Sequence, residues 1–150
     1  TIYGANESFP VGGSKVLCSS DSDDVTIIAA GITVHEALSA SEILAVEGIR
    51  SRVIDLYSIK PIDSATLLQA ARINGKLITV EDHWADGGLG DAVLNVFADS
   101  DVKPRIVKLA VRDMPGSGTP SELRDSVKIS AEHIANSARG LIINSSHETN

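Results

Sequence analysis

The sequence predicts a doubly wound α/β sheet with helices on both of its faces. Short runs of Val, Ile, Leu and Ala alternate along the chain with segments whose apolar residues recur at helical spacing. Strands that read as continuous apolar runs are typical of sheets covered on both sides. Residues 25–56 form a strand–helix–strand unit, which predicts two parallel strands joined by a right-handed crossover.

Five segments have the character of strands. Residues 25–30, VTIIAA, and residues 77–80, LITV, are short, apolar and partly β-branched, as expected for strands inside a sheet. The complete set of predicted strands comprises residues 15–18, 25–30, 49–56, 77–80 and 105–111. These patterns do not by themselves give the order of the strands in the sheet.

Helix boundaries are predicted from capping residues. Thr33 is a plausible N-cap for a helix over residues 35–47, with Glu36 as its capping-box partner. Asp63 is expected to cap a second helix over residues 64–72. The remaining predicted helical segments are a helix that begins at Leu89, a turn at residues 121–124 and a helix at residues 130–139 that Gly140 ends.

Residues 15–143 are expected to form one domain, because no internal repeat or strong linker divides them. Residues 1–14 are rich in Gly, Pro, Asn and Ser and are interpreted as a lead-in from a preceding domain. Residues 144–150 are polar and are expected to form a flexible tail. Since the chain begins with Thr1 rather than Met, we expect it to be a processed or cut piece of a longer protein.

Composition excludes several classes of function. The net charge of −7 opposes a general surface for nucleic acids or anionic membranes. No apolar run approaches the roughly 18 residues that suggest a membrane-spanning helix, and no signal peptide is visible. Cys18 is the single cysteine, so neither an intrachain disulfide nor a cysteine metal cluster can form. These features favour a cytoplasmic protein.

Chemically distinctive residues concentrate after two of the predicted strands. Gly31 to His35 leads into a helix N-terminus, and Glu81 to Gly90 carries carboxylates, an imidazole and glycines. Loops at the carboxyl ends of strands commonly hold ligands, and helix N-termini bind anions. The alternative is that these residues only cap helices, allow tight turns and pack at a surface.

The structural alternative is the stronger of the two. Adjacent residues on an extended chain point to opposite faces, so Glu81, Asp82 and His83 do not converge on a metal or a substrate. No Lys or Arg lies beside the glycine-rich loop in the sequence, and His133 and His147 have no obvious partner. The residues of the candidate crevice are Gly31, Thr33, His35, Glu81, Asp82, His83, Gly87 and Gly88.

Seven segments occur together in a characteristic order: FPVG at 9–12, VTIIAAG with VHEA at 25–37, RVIDL at 52–56, IKPID at 59–63, TVEDH at 79–83, GGLGDAV at 87–93 and SGTPSEL at 117–123. Together they resemble the carboxyl-terminal domain of transketolases, especially the animal-type branch. The 1-deoxyxylulose-5-phosphate synthases and the β-subunits of 2-oxoacid dehydrogenases share this domain. The resemblance covers residues 9–143.

The resemblance implies a three-layer α/β/α fold. Its five-stranded mixed sheet has the order 1-3-2-4-5, with strand 1 antiparallel and the third strand at residues 52–56. That order brings the loops at residues 31–35 and 81–88 to the two sides of one crevice, at a topological switch point.

The resemblance also implies a function for the parent enzyme, which transfers a two-carbon ketol unit between sugar phosphates. It uses thiamine diphosphate and Mg²⁺, held by its first two domains at a dimer interface. The motifs that serve the cofactor and metal in those domains have no matching positions here. No catalytic, cofactor-binding or metal-binding residue is therefore assigned to this chain.

The expected role is structural: the domain supports the subunit and the homodimer, with the preceding domains of the same chain as its partners. Three alternatives remain open at this point. The chain is an autonomous small-ligand or anion-binding regulatory module of the same fold, the C-terminal domain of a 1-deoxyxylulose-5-phosphate synthase, or a separate subunit of a split enzyme.

Overall fold

A computed structural model describes residues 1–114 and 116–147. Within these residues the strands are β1 (Lys15–Cys18), β2 (Val25–Ala29), β3 (Ser51–Asp55), β4 (Lys76–Trp84) and β5 (Arg105–Val111). The helices are α1 (Thr33–Val46), α2 (Ser64–Asn74), α3 (Leu89–Ala98), α4 (Pro120–Ser126) and α5 (Ala131–His147).

The strands form one mixed sheet in the order β1-β3-β2-β4-β5. Strand β1 is antiparallel to β3, and the other neighbouring strands are parallel. Helices α1 and α5 cover one face, and α2 and α3 cover the other. The predicted three-layer α/β/α fold and its strand order are confirmed. The loops that follow β2 and β4 leave neighbouring strands at the same edge of the sheet.

The core consists of two aliphatic layers separated by the sheet. On β2, Ile27 packs towards α1 and α5, and Ile28 packs towards α2 and α3. On β4, Ile78 and Leu77 alternate in the same way. Successive side chains of a strand point to opposite faces, so an apolar run fills both layers. Apart from Phe97 on the α2/α3 side, aliphatic side chains supply the core of the described residues, which fits the aromatic content of only 3%.

Strand β4 continues past its predicted end at residue 80 as far as Trp84. Its partner β2 ends opposite Val80, and β5 runs alongside the extension. The register shifts before Trp84 pairs with Val111. Glu81, Asp82 and His83 interrupt the apolar run after Val80, so the sequence signal for a strand ends before the strand does.

The predicted cap at the start of α1 is wrong. The helix begins at Thr33 itself, and Ile32, in the N-cap position, makes no side-chain capping bond. The Thr33 hydroxyl is buried, 2.8 Å from the carbonyl oxygen of Ala30 and 3.0 Å from that of Val80. The Thr33 hydroxyl thus bonds to backbone carbonyls just after β2 and on β4, whereas the local sequence pattern predicts that it caps the helix. Asp63, by contrast, caps α2 as predicted, with its carboxylate accepting from the Thr66 amide at 3.2 Å.

Glu36 connects three helices instead of capping its own. Its Oε2 accepts a hydrogen bond of 2.9 Å from the Ala131 amide, in the first turn of α5. Its Oε1 accepts one of 2.6 Å from Nε of Arg124, on α4. The carboxylate therefore satisfies an amide that the start of α5 leaves free and holds α4 close to α1.

The predicted helix end at Gly140 is also wrong, because α5 runs through Gly140 to His147. Leu141, the next residue, is 5% exposed and packs in the same layer as Leu44 of α1. Tertiary packing of this face outweighs the weak helix propensity of glycine. Residues 144–147 of the predicted tail are thus helical, and residues 148–150 lie outside the described part of the chain.

Residues 1–14 contain no helix or strand, yet they contact the end of β3 and the loop after it. The Tyr3 hydroxyl donates a hydrogen bond to Asp55, and burial, followed by that carboxylate, raises the pKa of the Tyr3 phenol. Phe9 packs edge-to-face against Tyr3 and Tyr57, with ring centroids 4.9 and 5.0 Å away. The arrival of this segment from a preceding domain stays a prediction.

Helix α5 is 17 residues long and buries only one face. A helix that crosses a bilayer requires about 20 predominantly apolar residues. None of the helices in the described residues has the length and apolar character to cross a membrane.

We expect Glu36→Ala to lower the free energy of unfolding by about 1–3 kcal/mol, because it leaves the Ala131 amide and Arg124 without their acceptor. Chemical denaturation monitored by circular dichroism measures the change. Glu42→Ala is the matched control, since Glu42 is exposed on the same helix and its loss is expected to change stability by less than about 0.5 kcal/mol. Equal effects of the two substitutions would contradict the cross-helix role.

We expect Gly140→Ala to raise the free energy of unfolding by about 0.5–1 kcal/mol, since alanine is the better helix former. A Cβ at this position meets no atom within 4 Å. The same denaturation assay applies, and Gly75→Ala is the control. Gly75 ends α2 at φ 67°, so its substitution should be destabilising. A loss of stability in Gly140→Ala would contradict the continuous helix.

Candidate functional site

The buried Glu81 carboxylate accepts hydrogen bonds from the N-terminus of α3. It lies on β4, at the edge of the sheet where the parallel strands end, and is 2% exposed. Its Oε1 accepts a hydrogen bond of 3.0 Å from the Leu89 amide, and its Oε2 accepts one of 2.7 Å from the Gly90 amide. These are the free amides that would otherwise bind an external anion. The expectation that Glu81 and Asp82 both cap backbone amides is correct for Glu81, whereas the exposed Asp82 carboxylate accepts no hydrogen bond from the described residues.

The glycines of the loop allow this close approach. A Cβ on Gly88 would overlap the Glu81 carboxylate, and a Cβ on Gly90 would lie 2.7 Å from Cε of Lys108. Gly87 has φ 75°, in the left-handed region that glycine adopts without strain. The structure therefore agrees with the packing interpretation of these glycines rather than with a phosphate cradle.

A cation does lie beside the loop, contrary to the sequence-based expectation. Lys108 of β5 donates a hydrogen bond of 2.8 Å to the Ala85 carbonyl and pairs with the Asp91 carboxylate. The other oxygen of Asp91 accepts from the Gly87 amide at 2.6 Å. Lys108, followed by this amide, holds the pKa of Asp91 below its usual value. The charges neutralise each other and fix the loop.

Sequence reasoning missed Lys108 because the residue is distant from the loop along the chain. The parallel register places Lys108 opposite Thr79, two residues before Glu81. Only the pairing of β4 with β5 reveals this proximity. The strand order implied by the resemblance, combined with register, is the signal that could have found it.

The stability that Asp91 contributes also depends on pH. Because its pKa is lowered in the folded protein, Asp91 contributes stability above its unfolded pKa. That contribution is lost as the pH falls through the folded pKa. The Asp91 side chain is 38% exposed, so solvent screens the effect.

The structure brings some of the predicted crevice residues together around one cavity. A cavity of about 220 Å³ is lined by Gly31, Glu81, Asp82 and His83, together with apolar neighbours. Thr33 is buried, with its hydroxyl near the Val80 carbonyl, and His35 is exposed outside this cavity. Gly87 and Gly88 line an adjoining cavity of about 580 Å³, which Asp82 and His83 also border.

The crevice residues do not fit thiamine diphosphate or its metal. A diphosphate at α3 would face the Glu81 carboxylate, which already holds the free amides and would repel a second anion. Among residues 1–114 and 116–147, no group of three or more His, Cys, Asp or Glu side chains is placed to hold a metal ion. What the arrangement does chemically is to stabilise a helix end and hold a loop.

His133 has partners that the sequence did not suggest. Its Nδ1 lies 2.8 Å from Oγ of Ser130 and 3.4 Å from Oδ1 of Asp125. Both contacts use the same ring nitrogen, whereas a hydrolytic triad uses one nitrogen for the nucleophile and the other for the carboxylate. The cluster fastens the start of α5 and does not form a nucleophilic site.

We expect Glu81→Gln to lower the free energy of unfolding by about 1–3 kcal/mol, because the NH2 group that replaces one of the two oxygens cannot accept from the backbone amide that faces it. Hydrogen exchange should also accelerate at the Leu89 and Gly90 amides. Asp82→Asn is the control, since Asp82 is exposed next to Glu81. An unchanged exchange rate at both amides in Glu81→Gln would show that Glu81 does not hold the helix end.

Comparison with known proteins supplies the family. The profile described as "Transketolase, C-terminal domain" matches residues 14–134. Mouse transketolase-like protein 2 is 50% identical over 135 residues, 89% of this chain and 21% of the relative. Human transketolase is 44% identical over 142 residues, 94% of this chain and 23% of the relative. The chain thus spans about a fifth of the length of these curated relatives.

Solved structures agree with the sequence comparison. A split-gene transketolase described as an inactive β4 tetramer superposes with a TM-score of 0.87 at 34% identity, covering 95% of this chain and 46% of the other. A Pichia stipitis transketolase in complex with sedoheptulose 7-phosphate gives a TM-score of 0.66 at 19% identity, covering 88% of this chain and 18% of the other; this supports the fold alone. With the strand order, the matched profile and these relatives together, the chain belongs to the transketolase C-terminal domain family.

Proposed function

We propose that this chain is the C-terminal domain of a thiamine-diphosphate-dependent, transketolase-type enzyme and that it contributes no catalytic group. The similarity to human transketolase supports a parent activity of two-carbon ketol transfer between sugar phosphates. In this proposal the cofactor and Mg²⁺ belong to the preceding domains of the same chain. The parent enzyme is a cytoplasmic homodimer of the pentose phosphate pathway.

The observation that carries the non-catalytic role is the position of Glu81. The N-terminus of α3 lies at the crevice, and a helix start in this position can bind a phosphate. In this chain its Leu89 and Gly90 amides donate to a buried carboxylate of the same domain. The binding capacity of the helix end is therefore used to hold the domain together.

The same observation counts against the autonomous anion-binding alternative. A phosphorylated ligand at α3 would have to displace Glu81, which would leave a carboxylate buried without its donors. The names of the relatives, transketolase and transketolase-like protein, favour this branch over 1-deoxyxylulose-5-phosphate synthase. A role in supporting the subunit and the dimer is the function that agrees with both observations.

The proposal is tested with the chain alone and with a chimera in which it replaces the matched segment of human transketolase. Calorimetry with thiamine diphosphate and Mg²⁺ should detect no binding to the isolated chain. A ketose phosphate donor and an aldose phosphate acceptor should react only with the chimera, because the catalytic groups lie in the other domains.

The human enzyme without its matched segment is the control, and intact human enzyme sets the reference rate. Turnover by the isolated chain would contradict the absence of catalytic groups. A chimera that is folded and dimeric but inactive would contradict the assignment of the chain as a working transketolase C-terminal domain.

A further inference from the structure

The edge of the sheet at which the parallel strands end carries a concave surface that the structural role of Glu81 leaves unused. Cavities of about 580, 250 and 220 Å³ all border Asp82. The largest is lined by Asp82, Trp84, Asp86, Val111 and Met114, with neighbouring loop residues. We call the region defined by these five residues the edge basin.

The edge basin exposes large apolar side chains. Trp84, the single tryptophan of the chain, is 53% exposed, and Met114 is 85% exposed. Exposed apolar groups grouped in one concavity, rather than scattered, are typical of surfaces that bind another molecule. Trp and Met are also enriched in protein–protein interfaces.

Trp84 is presented on a firmly held segment. It pairs with Val111 on β5, and the next amide, of Ala85, donates to the Val111 carbonyl at 3.2 Å. The Ala85 carbonyl accepts from Lys108 at 2.8 Å. A partner that binds the indole therefore orders little additional chain, which favours binding.

The charge of the edge basin is negative. Asp82 and Asp86 are exposed, and the carboxylate of neither forms a hydrogen bond or ion pair with another residue in 1–114 or 116–147. No Lys or Arg among the described residues lines the largest cavity. Of the neighbouring cations, Lys108 pairs with Asp91 and Arg124 with Glu36, and Arg112, next to Val111, donates to the Lys108 carbonyl at 3.4 Å.

The exposed apolar side chains and the negative charge together indicate which chemical groups the edge basin would bind. An indole face binds a guanidinium or ammonium group, and the two free carboxylates attract the same cation. The apolar floor favours an aliphatic side chain next to it. A nucleic acid is disfavoured, because its phosphates would meet the carboxylates.

We propose that the edge basin is a docking site for a protein segment that carries an Arg or Lys side chain flanked by aliphatic residues. The cation lies over the Trp84 ring between Asp82 and Asp86, and the aliphatic side chains cover Val111 and Met114. This interaction requires no ketol transfer, so it stands apart from the proposed enzymatic context.

Trp84 is its own reporter, because no other tryptophan contributes fluorescence. The probes are two peptides, acetyl-Leu-Arg-Leu-amide and acetyl-Leu-Glu-Leu-amide, titrated into the purified chain. The arginine peptide should change the Trp84 emission saturably, and the glutamate peptide should have little effect. Added salt should weaken the binding of the arginine peptide.

Two matched double variants locate the effect. Asp82→Asn with Asp86→Asn should weaken the binding of the arginine peptide about five-fold, as expected for the loss of two exposed charge pairs. Asp99→Asn with Asp101→Asn removes the same charge near the other end of α3 and should leave the affinity unchanged. Far-UV circular dichroism confirms that both variants are folded.

Three results would overturn the proposal. They are an emission that does not respond to the arginine peptide up to its solubility limit, equal responses to both peptides, and equal affinities in the two double variants. Sedimentation of the chain alone tests the remaining possible occupant, which is a second copy of this chain. Self-association that itself shifts the Trp84 emission would assign the edge basin to a second copy of this chain and would also overturn it.

Discussion

The fold depends at one edge on the two hydrogen bonds from the start of α3 to the Glu81 carboxylate. They join the last buried position of β4 to the helix that covers it, with N···O distances of 3.0 and 2.7 Å. A carboxylate at a helix N-terminus is favoured by the free amides and by the helix dipole. Burial removes water as a competitor, so the loss of either partner would leave a charged or polar group without compensation.

Several other features follow from this contact. The loop between β4 and α3 must bring backbone and carboxylate together, and Gly88 and Gly90 permit this because they have no Cβ. Lys108 and Asp91 then hold the loop from the β5 side. The result is a rigid edge on which the β4 extension presents Trp84. The hydrogen bonds that satisfy the start of α3 and the exposure of the edge basin thus both follow from the same local structure.

The positions at which sequence reasoning was wrong share one physical cause. Glu36 fits a capping box by spacing, but α5 and α4 supply better partners for it. Gly140 resembles a helix end, but the packing of Leu141 extends α5 through it. Lys108 is remote in sequence, but the register of parallel strands brings it to the loop. In each case a partner distant along the chain decided the outcome.

The sequence by itself determined the alternation of strands and helices, the buried apolar layers, the Asp63 cap and, through its ordered motifs, the family and strand order. These properties are local or repeat along the chain, so spacing and composition report them. The tertiary structure alone decided which polar groups meet: Glu81 with α3, Glu36 with α5, and Lys108 with Asp91. Such contacts depend on which strands and helices become neighbours, and no local pattern encodes that choice.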